Sequence, residues 1–101
     1  VKPSKLINLA DLNPAIPKRV SIPGRDIALF RIGDEVFALD DQCPHKGAPL
    51  SAGHVEDGCV TCPFHGWHFD VRTGACADVP ARPAAVIPLR IQDGQVFLAE
   101  A

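Results

Sequence analysis

The sequence predicts an all-β fold, a small antiparallel barrel or sandwich, on three observations. Alternation of apolar and polar residues with period two recurs along the chain, the alternating runs are joined by Asp-Gly or Gly-Asp pairs, and ten Pro and eight Gly are spread so evenly that a long helix has almost no room. A chain of 101 residues is expected to build one domain around one core. With 47% apolar and 22% charged residues it sits near the globular norm, which excludes a disordered chain, a collagen-like repeat and a coiled coil. A net charge of -2 leaves no electrostatic footprint for nucleic acid or an anionic membrane, so the expected partners are proteins. The longest apolar runs are about half of a bilayer span, and residues 1–12 carry Lys, Ser, Asn and Asp where a signal peptide would be apolar. A cytoplasmic location is expected.

Taken in order, residues 6–9 read as a weak first strand and 18–22 as a second. Residues 26–32 and 35–40 flank Gly33-Asp34, residues 54–56 and 59–62 flank Asp57-Gly58, and residues 87–92 and 95–99 flank Asp93-Gly94. Each reads as a hairpin, because Asp and Gly tolerate the positive φ of tight primed turns. In the last hairpin Ile87, Leu89 and Ile91 share one face and Pro88, Arg90 and Gln92 the other, the pattern of a strand covering a core. Strand logic does not explain residues 42–53, residues 63–66 or the Pro-rich stretch 79–83.

The first two of these stretches hold the chemistry. They contain Cys43-Pro44-His45-Lys46-Gly47 and Cys62-Pro63-Phe64-His65-Gly66-Trp67, so each loop supplies one Cys and one His. Spacings of one and two residues within the pairs let both side chains of a loop converge on one small object, while Pro fixes the backbone and Gly permits its close approach. Residues 46–61 separate the pairs, enough for the hairpin at Asp57-Gly58 to bring the loops together. Cys43, His45, Cys62 and His65 are therefore one candidate metal-ligand set. Structural zinc suits two Cys and two His in a tetrahedron, although zinc fingers usually group the Cys together and the His together, whereas here every loop mixes them.

The pattern Cys-x-His followed by Cys-x-x-His resembles the Rieske iron-sulfur family. That resemblance implies one 2Fe-2S cluster, with Cys43 and Cys62 on the inner iron and His45 and His65 on the outer, more exposed iron. Pro44, Gly47, Pro63, Gly66 and Trp67 also match, and Val79-Pro80-Ala81-Arg82-Pro83 resembles the family's covering proline loop. The implied architecture is a single domain over residues 1–101, with base strands at about 5–41 and 84–99 and an inserted two-loop cluster-binding part at about 42–83.

Two thiolates and two neutral imidazoles leave the oxidised cluster without formal charge, so reduction is easier than for an all-Cys cluster. High-potential relatives carry a Ser after the second His-Gly, a Tyr two residues later and an inter-loop disulfide. This chain has Trp67 and Phe69 at the first two positions and Ala48 and Phe64 at the disulfide positions. A potential at the low end of the family range, about -150 mV, is therefore expected.

Other residues have weaker claims. Cys59 and Cys76 are expected to be buried small apolar residues, since Cys59 and Cys62, three apart in a strand, face opposite ways. His54 and His68 read as ordinary strand or surface histidines, Trp67 and Phe69 as packing beside the cluster, and Lys46 and Arg82 as solvated surface or a cationic rim for an acidic partner. No nucleophile-base pair is visible, so the expected role is a single-electron carrier. Residues 25–31 and 36–40 leading into the first Cys-x-His loop resemble the small subunit of NAD(P)H-dependent assimilatory nitrite reductase, which would act with a large subunit; this is the expected role. Residues 64–70 and the short proline loop resemble instead the ferredoxin component of an aromatic-ring dioxygenase, which would act with a dioxygenase and its reductase.

Overall fold

Nine short strands and two 3-10 turns make up the regular structure of the described residues, 5–14, 16–42, 49–64 and 66–99, in a computed structural model. The strands are β1 (Lys5–Asn8), β2 (Lys18–Ile22), β3 (Arg25–Ile32), β4 (Glu35–Asp40), β5 (His54–Glu56), β6 (Cys59–Thr61), β7 (His68–Asp70), β8 (Leu89–Gln92) and β9 (Gln95–Leu98). They form three antiparallel three-stranded sheets in the orders β1-β9-β8, β2-β3-β4 and β5-β6-β7. The fold is all-β, as the turn dipeptides imply. Asp57 and Asp93 both have φ of 52° and are followed by glycines at 78° and 72°, the two left-handed residues of a type I′ turn.

The run Ile27-Ala28-Leu29-Phe30 explains how the sheets share a core. All four residues are buried, so β3 is covered on both faces. Ile27 and Leu29 point into one apolar cluster with Leu12, Val36, Ala38, Ile87 and Val96. Ala28 and Phe30 point into a second cluster, with Leu39, Leu50, Val60, Cys62 and Phe69. At about 1.5–3 kcal/mol for each large apolar side chain removed from water, these contacts hold the β5-β6-β7 sheet against β3 and β4.

The sequence expectations hold with local corrections. The first strand is Lys5–Asn8, and Leu9 already belongs to the 3-10 turn Leu9–Asp11. In the last hairpin Ile87 is 6% exposed but Ile91 is 40% exposed, because β8 lies at a sheet edge and its far end runs past the core. β7 was not expected as a strand, since three residues are too few to show alternation; it is fixed by pairing Val60 with Phe69 and Thr61 with His68. Among the described residues no helix is long and apolar enough to cross a membrane.

Candidate metal centre

Of the four expected ligands, Cys62 lies within the described residues; Cys43, His45 and His65 lie outside them, as do Pro44, Lys46, Gly47 and Ala48. Cys62 follows β6 directly and is 1% exposed, within the apolar cluster that includes Val60, Leu50 and Phe69. Its backbone closes the second loop from both sides. The Cys62 N–H donates to the Trp67 carbonyl at 2.7 Å, and the Gly66 N–H donates to the Cys62 carbonyl at 3.0 Å. Gly66 has φ of 73°, which lets the chain reverse within one turn and re-enter the sheet as β7. The turn holds Pro63 and Phe64 outward, and Phe64 is 67% exposed.

Beside Cys62 is an open cleft of about 550 Å³ whose described lining is Ala52, Gly53, His54, Thr61, Pro63, Gly66 and Cys62 itself. A Cβ on Gly53 would run into the Thr61 carbonyl and press on the Leu50 carbonyl at 3.1 Å. The close approach that a glycine permits is therefore used to bring the end of the first loop against the strand that leads to Cys62.

The first loop is closed differently. Gln42 bridges to Pro49, and the Leu50 N–H donates to the Asp41 carbonyl at 2.8 Å, so the chain before and after residues 43–48 is joined at one narrow neck. The Asp41 side chain is 1% exposed. Its carboxylate accepts the Ser51 N–H at 2.7 Å, the Ser51 hydroxyl at 3.0 Å and the Arg19 Nε at 2.9 Å, which answers the cost of burying a charge. Arg19 also pairs with Asp26 at 3.1 Å.

The Pro-rich stretch is tied to the same end of the molecule. Val79 packs against the cluster that contains Cys62, and its N–H donates to the Cys76 Sγ at 3.3 Å. The Arg82 N–H donates to the Val79 carbonyl at 2.9 Å, and Arg82 is exposed. Asp78, just before this stretch, accepts the His68 backbone N–H at 2.7 Å and meets His68 Nδ1 at 3.1 Å. The His68 N–H, more than its ring, holds the Asp78 carboxyl below the usual carboxylate range.

The weaker candidates separate clearly. Cys76 is buried, as expected, but Cys59 is half-buried on the outer face of β6, opposite Asp70. Burial first, then the nearby charges of Asp70 and Asp57, push its thiol pKa up. His54 and His68 are exposed strand residues, whereas Phe69 is fully buried and Trp67 packs partly buried against the core. Among the described residues no three His, Cys, Asp or Glu side chains cluster to hold a metal ion. Sequence reasoning missed Asp41, Ser51 and Asp78, whose partners lie ten or more residues away and leave no local signal.

A family model described as the Rieske [2Fe-2S] domain matches residues 2–95. The anthranilate 1,2-dioxygenase ferredoxin subunit of Burkholderia cepacia is 57% identical over 74 residues, covering 71% of this chain and 68% of its own. In the structure of a complex of reduced oxygenase and oxidized ferredoxin in carbazole 1,9a-dioxygenase, a chain 35% identical superposes with a TM-score of 0.87, covering 95% of this chain and 91% of that one. A structure assigned as a nitrite reductase NADPH small subunit is also 35% identical, with a TM-score of 0.85 over 98% of this chain and 100% of that one. Against larger proteins the likeness is partial: the chain spans 14% of the pheophorbide a oxygenase of Oryza sativa subsp. japonica, with 42% identity over 73 residues.

Proposed function

The chain belongs to the Rieske [2Fe-2S] domain family, and on that premise we propose that it is a single-electron carrier, the ferredoxin component of an aromatic-ring-hydroxylating dioxygenase system. A Rieske cluster supplies a one-electron redox centre. Cys43 and Cys62 would hold its inner iron and His45 and His65 its outer iron, with residues 42–83 as the cluster-binding part. The described donor fits: a buried thiol beside an open cleft, in a turn closed by its own backbone.

The observation that carries the dioxygenase reading is the 57% identity to the anthranilate dioxygenase ferredoxin subunit. It favours that partner system over the nitrite reductase expected from residues 25–40. The nitrite reading keeps one specific support, the end-to-end likeness to the small-subunit structure. This chain's residues contribute in two ways. The backbone turn at Cys62 fixes its thiol, and the exposed Phe64 beside it gives a partner an apolar foothold close to the ligand. The potential lies at the low end of the family range, about -150 mV, since Trp67 and Phe69 offer no hydroxyl to the cluster sulfurs.

Reconstitution tests the proposal. The purified holoprotein should restore turnover to a ring-hydroxylating oxygenase and reductase lacking their ferredoxin, and should not support NAD(P)H-driven nitrite reduction with a large nitrite reductase subunit. Restoration of nitrite reduction alone would overturn it.

A further inference from the structure

Asp41 is a buried carboxylate bonded through every polar atom it has. Its N–H donates to the Asp26 carbonyl at 3.0 Å, its carbonyl accepts the Leu50 N–H at 2.8 Å, and its carboxylate takes both donors of Ser51 and the Arg19 Nε. These bonds join the last residue before the first loop's neck to the first residues after it. A carboxylate removed from water is costly unless it is fully bonded, so its burial here asks for a structural reason.

That reason is the loop it closes. Residues 42–50 are too many to close on themselves through one backbone turn, and pinning their ends costs chain entropy that grows with loop length. Two backbone links, Gln42 with Pro49 and Leu50 with Asp41, fix the separation at the neck. The Asp41 carboxylate adds a second plane of bonds, to Ser51. Leu50, between those bonds, is fully buried in the apolar cluster that contains Cys62. The neck of one ligand loop is thus referenced to the packing around the ligand of the other.

We propose that Asp41 is a positioning residue for the metal centre: through Ser51 it locks the two ends of the first loop to each other and, through Leu50, to the packing around Cys62. Arg19 neutralises the buried charge and has a secondary part, because it is 55% exposed and is shared with Asp26. The inference rests on the assignment of Cys43 and His45 as ligands, and it concerns how they are held.

The test uses the full-length holoprotein and two readouts besides electron transfer, the electron paramagnetic resonance spectrum of the reduced cluster and the half-life of the cluster under an iron chelator. Hydrogen bonds to a charged group are strong enough that losing the pair to Ser51 should shorten the half-life about tenfold or more in Asp41→Ala. The same variant should broaden the g-values and expose the Leu50 and Ser51 amides to hydrogen exchange. Asp41→Asn keeps one acceptor, for the Ser51 N–H, but turns an amide N–H toward the Arg19 Nε, so it should shorten the half-life less than Asp41→Ala without matching the wild type. Ser51→Ala, which removes one bond and no buried charge, should fall between them and serves where Asp41→Ala does not fold. An unchanged spectrum and half-life in both Asp41→Ala and Ser51→Ala would overturn the proposal. So would an Arg19→Gln variant as impaired as Asp41→Ala, since neutralising the buried charge rather than positioning through Ser51 would then be at work. Retention of the cluster in Cys43→Ser would instead overturn the ligand assignment.

Discussion

The two Cys/His loops are closed by different means. The second closes through its own backbone: the Cys62 N–H on the Trp67 carbonyl, the Gly66 N–H on the Cys62 carbonyl and one left-handed glycine suffice for a turn that short. The first spans residues 43–48 and borrows a buried carboxylate, a serine and an arginine from outside itself. The difference follows from length. A turn of four residues is fixed by φ and by its own hydrogen bonds, whereas a longer loop carries more conformations and needs side chains to remove them. The short loop is therefore legible as Cys-Pro-x-His-Gly, and the neck of the long one is not.

Replacing Cys62, the proposed ligand, should outweigh any change to either closure. Cys62→Ser is expected to abolish the visible absorption and bound iron, while Cys59→Ser, at a half-buried position with a raised thiol pKa, should keep both. Iron and acid-labile sulfide per chain measure the difference. Equal retention in the two variants would mean that the second loop does not carry a ligand at Cys62.

Next in size is the point where the two closures meet. Gly53→Ala puts a Cβ into the Thr61 carbonyl, which is backbone and cannot swing away, so the β5-β6 pairing or the 3-10 turn at Leu50–Ala52 must move. Overpacking of this kind costs about 1–3 kcal/mol. A lower midpoint of thermal unfolding, together with faster cluster loss, is expected. A variant as stable as the wild type would show that the first loop's end does not need its close seat on β6.

A smaller effect separates the short loop's backbone from its packing. A Cβ on Gly66 would have nothing within 4 Å, so Gly66→Ala meets only the cost of a left-handed φ, about 1 kcal/mol. Denaturant unfolding of the apoprotein should register that loss. Gly66→Asn, whose side chain tolerates the left-handed region, should recover part of it.

Much of the fold was readable because its signals are local. Gly33-Asp34, Asp57-Gly58 and Asp93-Gly94 each join the strands that the alternation on either side predicts. Cys62 was readable for the same reason, since its neighbours Pro63 and Gly66 announce the turn. β7 was not, because its register comes from β6 and its three residues carry no period of their own. Asp41 was hidden in another way: its partners, Arg19 and Ser51, are 22 and 10 residues away and look like ordinary polar residues until the sheets pack. The outward turn of Ile91 depends on β8 being an edge strand, which alternation cannot tell.

The smallest expected effect concerns the tie between the second loop's exit strand and the Pro-rich stretch. Asp78 lies at the surface and its carboxyl is held below the usual range, first by the His68 backbone N–H and then by the His68 ring. The sign follows from that depression: the stabilising contribution is complete above the ordinary carboxylate pKa and disappears as pH falls through the lower folded value. Asp78→Asn should therefore leave stability nearly unchanged at acidic pH, below both values, and lower it slightly at neutral pH. Surface exposure keeps the difference small. Urea midpoints of the two proteins, compared at several pH values, read it directly. Curves that run parallel at every pH would show that His68 does not tie the Pro-rich stretch through the Asp78 charge, leaving the Val79 N–H on Cys76 as its anchor.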